Sequence, residues 1–361
     1  MSSVGADLGA QATLRRSLGA RKPEWLWSAG ALVLSLVIVG PLIALASADP
    51  LDGYSTLFSA SFGSLSGFGT WLQYSVPLIL VGLGVALPLR VGLFNIGGEG
   101  QLLLGAFAAV VVGVKLGGAA DLPGSFLIPL VAAAIGGALL GGIAGALKAW
   151  RGVNEIITTI MLNFVAALFV QYWVDGPFKD PLLTYNSSPQ IDPGYGLDHL
   201  GTEAQIPTSI FVALAVAGIV GCAVHFTRAG WRMHVAGANP ELAARRGISV
   251  PRIYLYAMLF GGALAGLGGG AEVVGNQLRV GDNFSPGWGF DAIAIAVLAR
   301  GNMIAVVPFA LLYGFLRNGA GVLETNLGVP GSLVEVLAGA PIIIVAAVIG
   351  YRSYRQSIRA V

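Results

Sequence analysis

Three polar side chains interrupt an apolar stretch of the sequence, and they are the first candidates for contact with a solute. Asn95, Glu99 and Gln101 occur within Val91–Gly105, where hydropathy predicts a membrane span. Polar groups at that depth cost free energy unless they face protein or water. Three glycines among the same positions leave the backbone free to unwind. We interpret the segment as a discontinuous helix lining a cavity, with helix packing around an internally hydrogen-bonded Glu99 as the alternative.

A second group of polar residues opens the predicted span at 153–174. Glu155 lies in the first turn, where the helix dipole favours an anion. Helical spacing places Thr158 and Thr159 on neighbouring faces, and Asn163 about one further turn along. These hydroxyl and amide groups suit hydrogen bonds either to adjacent helices or to a polar solute, and the sequence leaves both interpretations open.

A third signal lies in the basic loop 227–252, which we place in the cytoplasm. Asn239 is suited to cap a short helix, with Pro240 at its first position and Glu241 in its first turn. Gly247 is suited to end that helix. Such complete helix start and stop signals between two spans favour a docking element over an amphipathic loop that only connects the spans. The cations of the loop are Arg228, Arg232, Arg245, Arg246 and Arg252.

A fourth polar region runs from Glu272 to Asp291, at the outer ends of two predicted spans. We favour a solvated outer loop here, with a lining role at the mouth of a pathway as the alternative. Its other polar or aromatic members are Gln277, Arg279, Asp282, Asn283 and Trp288.

The composition determines which elements must position these groups. Of 361 residues, 55% are hydrophobic and 11% are charged, against about 25% charged in a soluble domain. The 53 glycines follow no collagen-like period and lie inside apolar runs, where transmembrane helices use them for close packing. We therefore predict an all-α polytopic membrane protein with about ten transmembrane segments, at least one broken helix and one half-helix.

The positive-inside rule sets the predicted topology and places both termini in the cytoplasm. Residues 1–24 form a cytoplasmic N-terminal segment, residues 25–350 a transmembrane domain, and residues 351–361 a cytoplasmic tail. Residues 175–206 form an external loop. The apolar run at 25–48 is longer than the apolar core of a signal peptide, so we prefer an uncleaved first helix. The alternative is cleavage after Ala48, because Ala46, Ser47 and Ala48 resemble a signal-peptidase site. Spans are predicted near 25–48, 71–89, 91–114, 126–147, 153–174, 209–226, 253–273, 303–323 and 333–350, with a half-helix at 287–300.

Catalytic and metal motifs do not emerge from the sequence. The single cysteine, Cys222, lies in an apolar stretch, and with three histidines it forms no metal-ligand spacing. No G-x-x-x-x-G-K-[ST] motif occurs. We therefore expect no enzyme activity, no metal and no cofactor in this chain, and any ATP hydrolysis must come from another chain.

Three of these motifs resemble the permeases of ABC importers for ribose, branched-chain amino acids and nucleosides, most closely the nucleoside branch. They are residues 92–101, 154–163 and 237–248, and the resemblance extends from about Trp71 to Gly350. One departure is Arg246, where relatives often carry an aromatic residue. The resemblance implies that Ala238–Gly247 is the helix that couples to an ATPase, through Ala238, Asn239, Pro240, Glu241, Ala244, Arg245 and Gly247. It also places Asn95, Glu99, Gln101 and Asn163 on or near the translocation path, and we add Thr158 and Thr159 from their spacing.

The resemblance further implies a permease subunit that passes nucleosides or related solutes across the bacterial inner (plasma) membrane. Its partners would be an ABC ATPase subunit that binds ATP, a second permease subunit that is the same or related, an external solute-binding protein and membrane lipid, but no nucleic acid polymer. A ribose-type sugar permease is the first alternative. A proton-coupled secondary transporter that uses Glu99 or Glu155 is the alternative of another class.

Overall fold

The computed structural model describes residues 49–328, together with residues 40, 41 and 44. These residues form a bundle of α-helices joined mostly by short connections, with one long segment, 176–208, between two helices. The helices are α1 (Pro50–Phe62), α2 (Leu65–Leu89), α3 (Gly98–Lys115), α4 (Leu127–Arg151), α5 (Glu155–Asp175), α6 (Ser209–Phe226), α7 (Arg228–Ala238), α8 (Pro240–Arg245), α9 (Val250–Glu272), α10 (Trp288–Leu298) and α11 (Met303–Leu327).

Seven of the described helices are long and apolar enough to cross a membrane, as a multi-pass membrane protein requires. They are α2, α3, α4, α5, α6, α9 with the turn after it, and α11. Each corresponds to one predicted span. Helix α10 has 11 residues, or about 17 Å at 1.5 Å per residue, which is too short to cross. The predicted spans 25–48 and 333–350 and the terminal segments 1–24 and 351–361 lie outside the described residues, apart from positions 40, 41 and 44.

Helix α1 lies between the predicted spans 25–48 and 71–89, in a stretch where hydropathy predicts no helix. The Asp49 carboxylate accepts a hydrogen bond from the Leu51 backbone N–H at 2.8 Å, and Pro50 takes the first helical position. These are local start signals for a helix. The helix then packs against α11, where the Phe58 and Phe315 ring centroids lie 5.3 Å apart. Hydropathy did not predict α1 because its apolar residues are interspersed with serines.

The connection between α2 and α3 differs from the predicted span at 91–114, because helix α3 begins only at Gly98. Residues 91–97 consist of turns and irregular backbone. A second departure is a pair of two-residue strands, β1 (His199–Leu200) and β2 (Ile206–Pro207), which form an antiparallel sheet in the long loop. The described fold is therefore mostly helical rather than wholly α.

A glycine-lined contact holds α9 against α4 and α3. A Cβ placed on Gly137 would lie 2.1 Å from the Gly262 carbonyl oxygen, and one placed on Gly105 would lie 2.4 Å from the Gly266 Cα. Backbones can approach this closely only where both helices lack side chains, which is the small-residue packing of membrane helices. The contact fixes the relative positions of three helices that flank the polar sites.

The two ends of the bundle differ in composition. We call one the basic end, because Arg90 lies there. Gly237 packs on the Arg90 backbone, and Gly301 lies beside the Arg90 side chain. We call the other the loop end, because residues 176–208 cover it. There the Ser187 backbone bridges to Gly281, and the Tyr195 hydroxyl donates to the Leu116 carbonyl oxygen.

Candidate functional site

The predicted polar residues around α3 form a cluster whose side chains bind one another. The Asn95 Nδ2 donates to the Gln101 Oε1 at 2.9 Å, and the Gln101 Nε2 donates to the Asn95 Oδ1 at 3.0 Å. The same Asn95 oxygen accepts from the Gly97 backbone N–H. Both side chains are buried, with 1% and 0% of their surface exposed. Their hydrogen bonds are therefore made within the protein.

Helix α5 completes this cluster from the other side. The Asn163 Oδ1 accepts from the Gly100 N–H at 2.9 Å, and its Nδ2 donates to the Ile96 carbonyl at 2.8 Å. The Thr159 hydroxyl accepts from the Ile96 N–H at 3.3 Å and donates back to the Glu155 carbonyl. We call Asn95, Gln101, Thr159 and Asn163 the amide cluster. Its side chains hydrogen-bond to backbone groups of Ile96, Gly97 and Gly100, which lack helical partners because α3 begins only at Gly98.

Glu99 lies apart from the amide cluster and connects α3 to α10. Its Oε2 accepts a hydrogen bond from the Gly289 N–H at 2.7 Å, in the first turn of α10. A carboxylate is favourable at a helix N-terminus. In the same helix, the Asp291 carboxylate binds the Arg317 guanidinium of α11 at 2.7 Å. This ion pair gives Arg317, a cation within the apolar helix α11, a partner on a neighbouring helix.

The two remaining predicted path residues lie near the basic end. The Glu155 carboxylate forms an ion pair with Lys148 at 2.8 Å, and the Thr158 hydroxyl donates to the Asn154 carbonyl at 2.9 Å. The Asn154 side chain caps α5 by accepting from the Ile156 N–H. Both residues therefore have protein partners at the start of the helix, and Thr158 is half-exposed.

Helix α8 forms with the start and stop signals that the sequence predicts. The Asn239 Oδ1 accepts from the Leu242 N–H at 2.9 Å, and Pro240 is the first helical residue. Gly247 adopts the left-handed conformation, with φ of 77°, which favours glycine. Only Ala243 of the helix is buried. Ala238, Asn239, Pro240, Glu241, Ala244, Arg245 and Gly247 are all exposed.

A groove of about 1030 Å³ lies beside α8 at the basic end, between α7 and the start of α9. Leu242 and Trp231 line it and expose 49% and 61% of their surface. Arg232 and Arg252 add positive charge. An exposed apolar surface with a charged rim is typical of a protein interaction site.

A second concave site, which we call the loop-end cavity, occupies about 280 Å³ between α2, the end of α9 and the start of α10. It corrects our preference for a solvated loop at 272–291, because Glu272 and Trp288 are each only 3% exposed. Val280 and Phe284 are also buried, whereas Asp282, Asn283 and Pro286 between Glu272 and Trp288 are exposed, so the stretch is a partly buried wall of the cavity. The cavity is lined by Thr70, Gln73, Tyr74, Glu272, Asn276, Gln277, Asn283, Phe284, Pro286 and Trp288.

Local backbone irregularity shapes the loop-end cavity. Helix α9 ends in a π-helical turn, Val273–Gln277, and Leu278 after it has φ of 55°. The wider turn directs Asn276 and Gln277 back to the Glu272 carboxylate, at 2.6 Å and 3.1 Å. Sequence reasoning did not assign Gln73 or Tyr74 to this site, since α2 is distant in sequence and they carry no motif. The isolated polar pair Thr70 and Gln73 near the start of an apolar helix was the available signal.

Comparison with known proteins identifies the class to which this bundle belongs. The family model described as "Branched-chain amino acid transport system / permease component" matches residues 67–346. The chain belongs to this family of ABC transporter permeases, which are transport subunits, and the resemblance found in the sequence is confirmed. No solved structure matches it.

Characterised relatives extend over most of the chain. It is 37% identical to the glucose ABC transporter permease protein TsgB13 of Haloferax volcanii, over 93% of this chain and 91% of that protein. It is 35% identical to the guanosine ABC transporter permease protein NupP of Bacillus subtilis, over 88% and 91%. It is 33% identical to the nucleoside ABC transporter permease protein NupB of Lactococcus lactis, over 86% and 87%. The relatives thus include both sugar and nucleoside permeases.

Proposed function

We propose that this chain is the membrane subunit of an ATP-driven importer that passes nucleosides or related solutes across the inner membrane of a bacterium. The observation that carries the proposal is the exposed, capped helix α8 beside an apolar groove at the basic end. A permease without a phosphate-binding loop of its own needs such a surface to receive the motion of a separate ATPase. Alternating access then follows from displacement of α8.

The solute class is supported by similarity to guanosine and nucleoside permeases at 33–35% identity over most of the chain. A sugar is the second candidate, favoured by the 37% identity to a glucose permease. The polar groups of the described spans suit either solute, because most of them are amides and hydroxyls.

The geometry gives the predicted path residues different parts in this proposal. The amide cluster holds the non-helical segment before α3 in place, so Asn95, Gln101, Thr159 and Asn163 build the wall of the path and do not themselves grip the solute. Glu99 holds α10 against α3. Thr158 and Glu155 shape the basic end of α5. The break before α3 and the short α10 make up the broken helix and half-helix of the proposed ten-span topology.

A proton-coupled secondary transporter has weaker support. Glu155 is engaged with Lys148, and Glu99 accepts from a backbone N–H at a helix N-terminus. A secondary transporter has no ATPase subunit for the exposed α8 to contact. We therefore retain the importer, with both termini cytoplasmic, a second permease subunit, an external solute-binding protein, surrounding lipid, and ATP bound by the ATPase subunit.

Co-purification tests this proposal. The tagged full chain, isolated from its native membrane in mild detergent, is expected to carry an ABC ATPase that mass spectrometry identifies. The double substitution Glu241→Ala and Arg245→Ala removes two exposed charges of α8 and is expected to abolish this association without unfolding the chain. The matched control, Glu203→Ala with Lys115→Ala, removes one exposed acid and one exposed base at the loop end. A solitary chain that still transports would refute the importer.

A further inference from the structure

We propose that the loop-end cavity binds the solute, and that it recognises a ring that carries hydroxyl groups. This inference rests on the proposed function, because it assigns a binding site to the transported molecule. The residues that line the cavity include a donor without a described acceptor, an acceptor without a described donor, and aromatic rings. They lie on α2, α9, α10 and the connection before α10.

The unpaired donor is the indole N–H of Trp288. Its ring lines the cavity and is 3% exposed, yet the Nε1 atom has no hydrogen-bond partner in the described part of the chain. Buried donors are almost always paired in native proteins, with protein or with another molecule. Trp71, one turn before Tyr74, shows the ordinary arrangement: its Nε1 donates to the Leu311 carbonyl at 2.7 Å. The Trp288 donor therefore fits an oxygen supplied by a solute.

The unpaired acceptor belongs to Glu272. Its Oε1 accepts from Asn276 and Gln277, whereas its Oε2 accepts no hydrogen bond from any described residue. The two amides orient the carboxylate and leave one oxygen for an O–H group. A carboxyl oxygen accepts a hydrogen bond from a hydroxyl, so an O–H group of a solute fits here.

The aromatic rings and the charge of the cavity define the solute further. Phe284 and Trp288 meet edge to face, with ring centroids 6.3 Å apart, and Tyr74 adds a third ring. Such faces suit the flat side of a sugar or of a base. The lining contains a carboxylate but neither lysine nor arginine, which disfavours an anion. The volume of about 280 Å³ suits one small molecule. Ring hydroxyls can come from the ribose of a nucleoside or from a free hexose.

Direct binding tests the assignment. The full chain, with the subunits that co-purify, is placed in lipid nanodiscs and titrated with radiolabelled guanosine or glucose, with guanosine monophosphate as the anionic competitor. Trp288→Phe keeps a ring but removes the donor, and Glu272→Gln keeps the shape but replaces one carboxyl oxygen with an amide N–H group. Each is expected to weaken binding roughly five- to tenfold, as for one hydrogen bond. The control Trp71→Phe should leave affinity unchanged, and the monophosphate should not compete.

A second measurement does not depend on affinity. Cys222 is the only cysteine of the chain and is exposed on α6, so Cys222→Ser gives a cysteine-free background. Gln73 lines the cavity and hydrogen-bonds to no described residue, so Gln73→Cys should be tolerated. Bound solute is expected to slow labelling of that thiol by a methanethiosulfonate reagent. Labelling of native Cys222 in the unsubstituted chain should be unaffected by solute.

The outcomes separate the site from the function. Protection by guanosine alone or by glucose alone supports the site and identifies the source of the hydroxyls. If the unsubstituted chain binds a solute but both cavity variants bind equally well and the thiol is not protected, the site is refuted and the importer remains. If no ATPase co-purifies and a solitary chain transports, the importer fails, whatever the cavity binds.

Discussion

The amide cluster and the loop-end cavity are both buried polar sites among apolar helices, but they differ in how completely their hydrogen bonds are made. In the amide cluster, Asn95 and Gln101 hydrogen-bond to each other, and Asn163 hydrogen-bonds to the backbone. In the cavity, Trp288 and Glu272 each keep one atom without a described partner. Under our proposal, hydrogen bonds left unmade within the protein distinguish the solute site from a buried site that only holds the fold together.

The largest effect should follow from Asn163→Leu. This change leaves the Gly100 N–H and the Ile96 carbonyl without their partner, and each buried unpaired group costs about 1–3 kcal/mol. We expect a loss of about 2–6 kcal/mol in the free energy of unfolding, measured as a large drop in melting temperature or loss of the folded peak in size-exclusion chromatography. A variant as stable as the parent would show that the cluster is not structural.

A smaller effect on stability, specific to one pair of side chains, is expected for Asn95 and Gln101. Asn95→Leu alone leaves the buried Gln101 amide unpaired, whereas Asn95→Leu combined with Gln101→Met makes both sides apolar. Replacing both partners can be nearly neutral where replacing one is not. We expect the double variant to be about 1–2 kcal/mol more stable than the single one. Additive losses in a thermal-unfolding series would mean that the two side chains do not act as a pair.

The smallest effect compares the two tryptophans. Trp71→Phe removes a hydrogen bond to Leu311 and should lower stability by about 1 kcal/mol. Trp288→Phe removes a donor that has no described partner, so beyond the packing lost with the larger ring it removes no hydrogen bond of the protein, while solute affinity falls. Equal destabilisation by both substitutions would contradict the distinction between the hydrogen-bonded Trp71 indole and the Trp288 indole, which has no described partner.

Features that depend on neighbouring residues could be predicted from the sequence, whereas contacts between distant segments could not. Helix α8 was predicted residue by residue, because its cap, first proline and terminal glycine act within ten positions. The cluster around α3 was predicted as a set of polar residues, but its pairing depends on where α5 passes. A lining role for residues 272–291 was only the less favoured prediction, because neither the π-turn after α9 nor the partial burial of residues 278–287 leaves a pattern in hydropathy. Arg317 carries no motif, and only the fold brings Asp291 of α10 to it.

The glycine contact between α3, α4 and α9 has a mechanical consequence. With Gly105, Gly137, Gly262 and Gly266 in backbone contact, these helices cannot slide past one another without a collision, and close-packed interiors transmit strain instead of absorbing it. They form a rigid block. The same kind of contact continues on both sides of the loop-end cavity: Gly84 of α2 meets the Gly261 backbone of α9, and Gly289 of α10 meets the Glu99 backbone of α3. The elements that carry Gln73, Glu272 and Trp288 are therefore fixed to one another by backbone contact, and alanine at these glycines would force the helices apart and change the width of the cavity.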